Sequence, residues 1–262
     1  MRLRVFEARG CTGLEDAALA ALCAADGGVG TRLERVGLRG CAQLSLEAPP
    51  AAARAARRQG PKRGGWLRRA LFGAAAVTSA DPVATVGHAM LISLDLRGCT
   101  GARDAAVAAV LKQCAQTLED LDVGGCAQLE NFVSPVIAHL PALRVVRCHG
   151  CAGLSDACAE GLLAAGAALL EADFSACTSL SSPQLRSATV RVLKLAQCTE
   201  LESEAIGAIA QRCPALAEFE VSGVAIAGPV FVPDAVSVLA VTTPQPAAVM
   251  MMNEDYELIS CN

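Results

Sequence analysis

Aromatic residues are scarce, with one Trp, one Tyr and six Phe in 262 residues, or 3% of the chain. A compact globule of this size leans on aromatic side chains to fill its core. Leu, Val, Ala and Cys must fill it here, since the hydrophobic fraction is still 53%, and that suits thin layers stacked many times. No run of about 18 apolar residues is present to span a bilayer. The opening stretch Met1-Arg-Leu-Arg-Val5 holds no apolar signal core. A strong charge of one sign is also missing. The net charge of −4 gives the whole chain little attraction for nucleic acid. Gly-x-Ser-x-Gly, the Walker-type phosphate loop and His-Glu-x-x-His do not occur. Histidine is limited to His88, His139 and His149. A protein that is not an enzyme, with no cofactor and no metal, is the expectation.

Cysteine, by contrast, is abundant and odd in number, at thirteen. A secreted disulfide scaffold would pair its cysteines and begin with a leader. Reduced thiols, and a location in the cytoplasm, the nucleus or both, are expected instead.

Those cysteines mark an internal repeat, apolar-x-x-apolar-x-apolar-x-x-Cys-x-x-apolar. Clear copies are Leu91, Leu94, Leu96, Cys99; Leu118, Leu121, Val123, Cys126, Leu129; and Leu143, Val146, Cys148, Cys151, Leu154. Leu169, Ala172, Phe174, Cys177, Leu180 and Val190, Leu193, Leu195, Cys198, Leu201 continue the series. Upstream are Leu3, Phe6, Ala8, Cys11, Leu14 and Leu33, Val36, Leu38, Cys41, Leu44. Leu216, Phe219, Val221 follow with Val224 in the Cys slot, and Val236, Leu239, Val241 form a weaker ninth copy. From Cys99 to Val224 the spacings of that slot are 27, 25, 26, 21 and 26, within the range of leucine-rich repeats.

The apolar-x-apolar stretch alternates at period two, as a short strand with one buried face does. The Cys then precedes helical spacing, as in Asp104-Ala-Ala-Val107-Ala-Ala-Val110-Leu111. Asp16, Asp104, Asp156 and Ser203 stand where those helices should begin, as caps for exposed N–H groups. At the corner a small buried side chain with a weak hydrogen-bonding group is required, and Cys supplies both. Cys11, Cys41, Cys99, Cys126, Cys151, Cys177 and Cys198 form this structural ladder. Cys23, Cys114 and Cys213 share a second slot near the helix end, while Cys158 and Cys261 have no assigned place.

Residues 91–126 carry the pattern most fully, and they resemble the cysteine-containing leucine-rich repeats of F-box/LRR substrate receptors in SCF ubiquitin ligases. The likeness covers roughly residues 1–45 and 88–224. It implies an α/β leucine-rich-repeat solenoid, a horseshoe with parallel strands on the concave face and helices on the convex face. It also implies substrate recognition for ubiquitin-dependent protein catabolism. That family carries an F-box ahead of its repeats; here the first repeat follows Met1 directly, and no F-box is expected within these residues.

On such a solenoid the residues between the buried ones face outward. Asp95, Arg97, Asp120, Asp122, Arg147, His149, Glu171, Asp173 and Lys194 are the candidate partner-binding residues on the concave face. Glu7, Arg9, Arg35, Arg39, Glu218 and Glu220 occupy similar places. From the fourth copy on, the signs alternate between acid and base. Neighbouring strands lie about 4.8 Å apart, so these charges either neutralise one another across rungs or orient a partner. Mixed signs exclude a basic nucleic-acid track along the groove. Cys148-His149-Gly150-Cys151 has C-x-x-C spacing without a second ligand pair, and in register both thiols point inward.

The domain reading is two rungs over residues 1–47, an insertion over 48–88, seven rungs over 89–243 and a cap or tail over 244–262. The insertion holds seven basic residues and no acid between Ala48 and Ala80, which leaves the rest of a chain of net charge −4 at −11. Low complexity suggests disorder. Competing readings are a basic amphipathic helix over 66–72 for a partner or membrane, a nuclear-import patch at Arg57-Arg58 and Lys62-Arg63, and a loop covering the groove. The function expected is a monomeric protein-interaction module, the substrate-recognition part of an SCF-type ligase being its specific form. The alternatives are a scaffold or regulatory adaptor outside any ligase, and a membrane- or RNA-associated protein acting through the basic loop.

Overall fold

The computed structural model describes residues 4–11, 34–41, 91–104, 107–108, 111, 114–132, 140–226, 230–233, 236–239 and 251–252. The basic insertion, Asp16, Cys23, His88, His139, Cys261 and nearly all of the tail lie outside the described residues.

Each repeat forms one three-residue strand. They are β1 (Val5–Glu7), β2 (Arg35–Gly37), β3 (Ser93–Asp95), β4 (Asp120–Asp122), β5 (Val145–Arg147), β6 (Glu171–Asp173), β7 (Val192–Lys194) and β8 (Glu218–Glu220). After β9 (Val230–Phe231), β10 (Ser237–Leu239) adds the ninth and last strand of one parallel sheet, in which every neighbour follows in chain order apart from β9. β9 pairs instead with β11 (Met251–Met252). The fold is an α/β leucine-rich-repeat solenoid.

The central residue of each strand points inward. Val36, Leu94, Leu121, Val146, Ala172, Leu193, Phe219 and Val238 lie in register and are buried. Flanking rows at Leu38, Leu96, Val123, Cys148, Phe174 and Leu195 join them in one continuous core. The ninth copy sits one residue away from the expected register. Val238, not Leu239, aligns with Phe219, while Leu239 takes the row of Glu220. With side chains alternating at period two, a slip of one residue exchanges inward for outward.

Two helices are described in full: α1 (Asp156–Ala165) and α2 (Ser203–Arg212). α1 buries Cys158, Ala159, Leu162, Leu163 and Ala165, and α2 buries Ala205, Ile206, Ile209 and Ala210. Asp104, Val107, Leu111 and Cys114 are also helical, with Val107 and Leu111 fully buried. Strands stack about 4.8 Å apart and helices about 8–10 Å apart, so such a stack curves with its strands inside. The 21-residue repeat between Cys177 and Cys198 has no room for this arrangement, and its connection through Pro183 to Val190 is not helical.

The expected caps are corrected in their partners. Ser155 caps α1, its hydroxyl accepting from Cys158 N at 3.2 Å. Asp156 instead reaches the next rung, where its carboxylate accepts from Ser181 N at 3.1 Å and Ser182 N at 3.1 Å. Asp104 does the same, accepting from Glu130 N at 3.0 Å and Asn131 N at 2.8 Å. At α2 the N-cap is Glu202, which makes no side-chain cap bond, and Ser203 is already helical. These two aspartates therefore tie rungs together rather than closing their own helices.

After each strand the chain turns by a three-residue step that ends on the Cys. Cys99 N donates to Leu96 O at 3.0 Å and Cys126 N to Val123 O at 3.1 Å. The residue before the Cys has positive φ: Gly98 (68°), Gly125 (71°) and Gly150 (70°), but also Ala176 (57°) and Gln197 (58°). A turn of type II requires this backbone, which glycine adopts without steric cost.

The thiols donate to the carbonyl of the preceding rung. Cys99 Sγ reaches Leu38 O at 3.0 Å, Cys126 Sγ reaches Leu96 O at 3.1 Å and Cys151 Sγ reaches Val123 O at 3.2 Å. Cys177 and Cys198 repeat the contact to Cys148 O at 3.1 Å and Phe174 O at 3.2 Å. Main-chain amides run the other way: Leu38 N donates to Asp95 O and Leu96 N to Asp122 O, both at 2.7 Å. Burial pushes the thiols up, to about 11 for Cys99, Cys151 and Cys198 and about 12 for Cys126. Cys148 is raised well above its ordinary value, for the same reason. Such thiols are protonated donors, not nucleophiles. The seven corner cysteines form no disulfide.

Candidate functional site

The strand register sorts the outward residues into three rows. The first holds Arg35, Ser93, Asp120, Val145, Glu171, Val192 and Glu218. The second holds Glu7, Gly37, Asp95, Asp122, Arg147, Asp173, Lys194 and Glu220. Two residues further along each chain come Arg9, Arg39, Arg97, Gly124, His149, Ser175 and Ala196, beside the turns. Asp95 thus neighbours Asp122, not Asp120, and the acid–base alternation from the fourth rung runs along the second row alone.

Arg97 binds the two adjacent acids of that row. Its Nη2 is 2.6 Å from Asp95 Oδ2 and its Nε 3.3 Å from Asp122 Oδ2. This pairing lets two carboxylates sit on neighbouring strands, where like charges would otherwise repel. Asp95 also accepts from Arg97 N at 3.1 Å, Asp122 from Gly124 N at 3.1 Å and Asp173 from Ser175 N at 2.9 Å. Each aspartate accordingly holds its own turn.

The carboxyls of Asp95 and Asp122 are shifted in opposite directions. Burial works to raise Asp95, but the Arg97 hydrogen bonds outweigh it and hold the carboxyl below its usual range. Asp122, only 5% exposed, is raised by burial despite the Gly124 amide and the Arg97 charge.

Arg147 pairs diagonally rather than along its row. Its Nη1 lies 3.1 Å from Asp120 Oδ1 and its Nε 3.7 Å from Glu171 Oε1, one rung to each side. His149 lies over Gly124, where a Cβ would overlap the imidazole ring. Among the described residues, Lys194, Arg35, Arg39 and Glu218 form no ion pair, and Arg35, Arg39 and Glu218 are exposed. Arg35 and Arg39 lie on either side of Gly37, and Glu7 of the neighbouring strand approaches that glycine, its Cγ 3.4 Å from where a Cβ would stand.

Among the described residues, no group of three or more His, Cys, Asp or Glu is placed to hold a metal ion. None of their helices is long and apolar enough to cross a membrane.

No protein-family model matches this chain, and no curated protein does. Among solved structures, the chain is similar to one in the crystal structure of the Rad7 and Elc1 complex in yeast. The identity is 13% and the TM-score 0.45, over 90% of this chain and 67% of that one. A likeness so slight carries no argument, and the architecture stands on the sheet and its register.

Proposed function

We infer that this chain is a protein-interaction module that holds its partner on the strand face. One observation carries the reading: a face nine strands long displays the cations Arg35, Arg39 and Lys194 with no ion pair among the described residues. Other charges on the face are consumed in holding the fold, as with Arg97 and Arg147. Uncompensated charge on a preformed, rigid surface favours orientation and fast association of a complementary partner. The surface works as a binder rather than a catalyst. The substrate-recognition part of an SCF-type ubiquitin ligase is its specific form, and the Cys-and-Leu repeat resemblance supports that reading.

Site-specific photo-crosslinking in cells tests it. A photoreactive residue at Ser93 or Val145, in the outward first row, should capture a partner protein. The same residue at Ala164 or Glu204, on the helix side, should capture none. Capture from the helix side alone would move the interface off the strands. Ubiquitin-ligase adaptor and cullin chains among co-purifying proteins separate the ligase form from a scaffold.

A further inference from the structure

The charge on the strand face is divided by position. Across the first three rungs Arg9, Arg35, Arg39 and Arg97 outnumber Glu7 and Asp95. Across the sixth to eighth rungs Asp173, Glu218 and Glu220 outnumber Lys194. The middle is closed on itself by the contacts of Arg97 to Asp122 and of Arg147 to Asp120 and Glu171. Compensation inside the face therefore fails at both ends and with opposite sign.

We propose that the strand face recognises an extended peptide segment carrying an acidic group at one end and a basic group at the other, the acid seated on Arg35 and Arg39 and the base on Glu218 and Glu220. This deepens the strand-face reading and rests on it. Arg35 and Arg39 are exposed and form no ion pair among the described residues, so both remain available to a carboxylate. Two guanidinium groups facing one oxyanion group give paired, charge-assisted hydrogen bonds. From β2 to β8 there are six strand steps, or about 29 Å at 4.8 Å each. An extended chain covers that span in about eight or nine residues. The two charged groups must stand that far apart in the ligand, and a folded hairpin or a uniformly acidic stretch does not match both ends.

Fluorescence anisotropy with the full chain and labelled, end-blocked synthetic peptides tests the assignment. One peptide has glutamates at one end and lysines at the other, separated by about eight neutral residues, and is made in both chain directions. A second has the same composition with the charges interleaved. All-acidic and all-basic peptides and a single-stranded RNA complete the set. The separated peptide, in at least one direction, should bind about tenfold more tightly than the interleaved one. The double variant Arg35→Glu with Arg39→Glu should lose that preference and favour the all-basic peptide. The double variant Glu218→Lys with Glu220→Lys should lose it and favour the all-acidic one. Each end is read separately, and circular dichroism verifies folding, so one misfolded variant leaves the other as the test. Equal binding of separated and interleaved peptides, no binding of either, or variants that keep the wild-type preference overturn the proposal. Tighter binding of RNA than of the separated peptide overturns it too. Capture of a partner at Ser93 in any of these cases leaves the strand-face reading standing without the bipolar ligand.

Discussion

The imidazole ring of His149 occupies the space that a side chain at Gly124 would need, one rung away on the strand face. At the equivalent places on other rungs stand Arg97, Ser175 and Ala196, all with side chains. Gly124 is thus the partner of a particular neighbour rather than a backbone requirement; it is absent from the positive-φ positions.

Substituting Gly124→Ala should therefore push the half-buried ring aside and lower stability by up to about 1 kcal/mol. In a His149→Ala background the same change should cost much less, with a coupling of about 1 kcal/mol in a double-mutant cycle. Urea unfolding of the four proteins checks this; additive effects would show that ring and glycine do not compete for space.

Asp95 and Asp122 should give opposite pH dependences. Asp95, held below the usual range, adds stability above the ordinary aspartate value of about 3.9 and loses it as pH falls through its lowered value. Asp122, raised, contributes its full stability below that ordinary value and loses it as pH rises through its own. Asp95→Asn should then be most harmful near neutrality, and Asp122→Asn relatively more harmful in acid. Urea midpoints between about pH 3 and pH 7 decide it; parallel pH profiles for the two variants would contradict the assignment.

Ala176 and Gln197 occupy the left-handed corner that glycine fills on the neighbouring rungs. That conformation costs an L-residue about 1–2 kcal/mol, partly offset by glycine's greater freedom when unfolded. Ala176→Gly should raise stability by about 0.5–1 kcal/mol, and Gly150→Ala should lower it by about 1 kcal/mol. Thermal denaturation of the two variants gives both signs.

Arg147 and Lys194 stand in one row but differ in use. Arg147→Glu would face Asp120 and Glu171 with a third acid and should cost about 1 kcal/mol at this partly exposed site. Lys194→Gln, which avoids a run of three acids with Asp173 and Glu220 beside it, should change stability by less than about 0.5 kcal/mol and act on partner affinity alone. Stability and crosslinking yield, measured on both variants, separate the two effects.

The core rows were legible because Leu-x-Leu alternation and a Cys three residues on set the register together. Where the Cys is missing the register is not marked: without a corner residue, Val236, Leu239 and Val241 match the repeat as well as the inward pair Val236 and Val238 does. The roles of Asp104 and Asp156 were hidden for another reason. Their acceptors serve amides 25–27 residues away, and local spacing sees only the helix they begin. The charged face was legible as a set of residues but not as pairs. Asp120 and Asp122 both point outward, yet only strand register shows that Arg147 takes the first and Arg97 the second. The glycine before each Cys was visible in the repeat, but its purpose needed the positive φ.

The thiol bonds have a direction. From Cys41 on, each corner thiol looks back to a carbonyl that precedes it by 24 to 61 positions in the chain, as Cys198 does to Phe174 and Cys99 to Leu38. A ribosome releases the amino end first, so every acceptor is made before its donor. Replacing one corner thiol should therefore leave a carbonyl of the rung made before it without its bond, and none in the rung that follows.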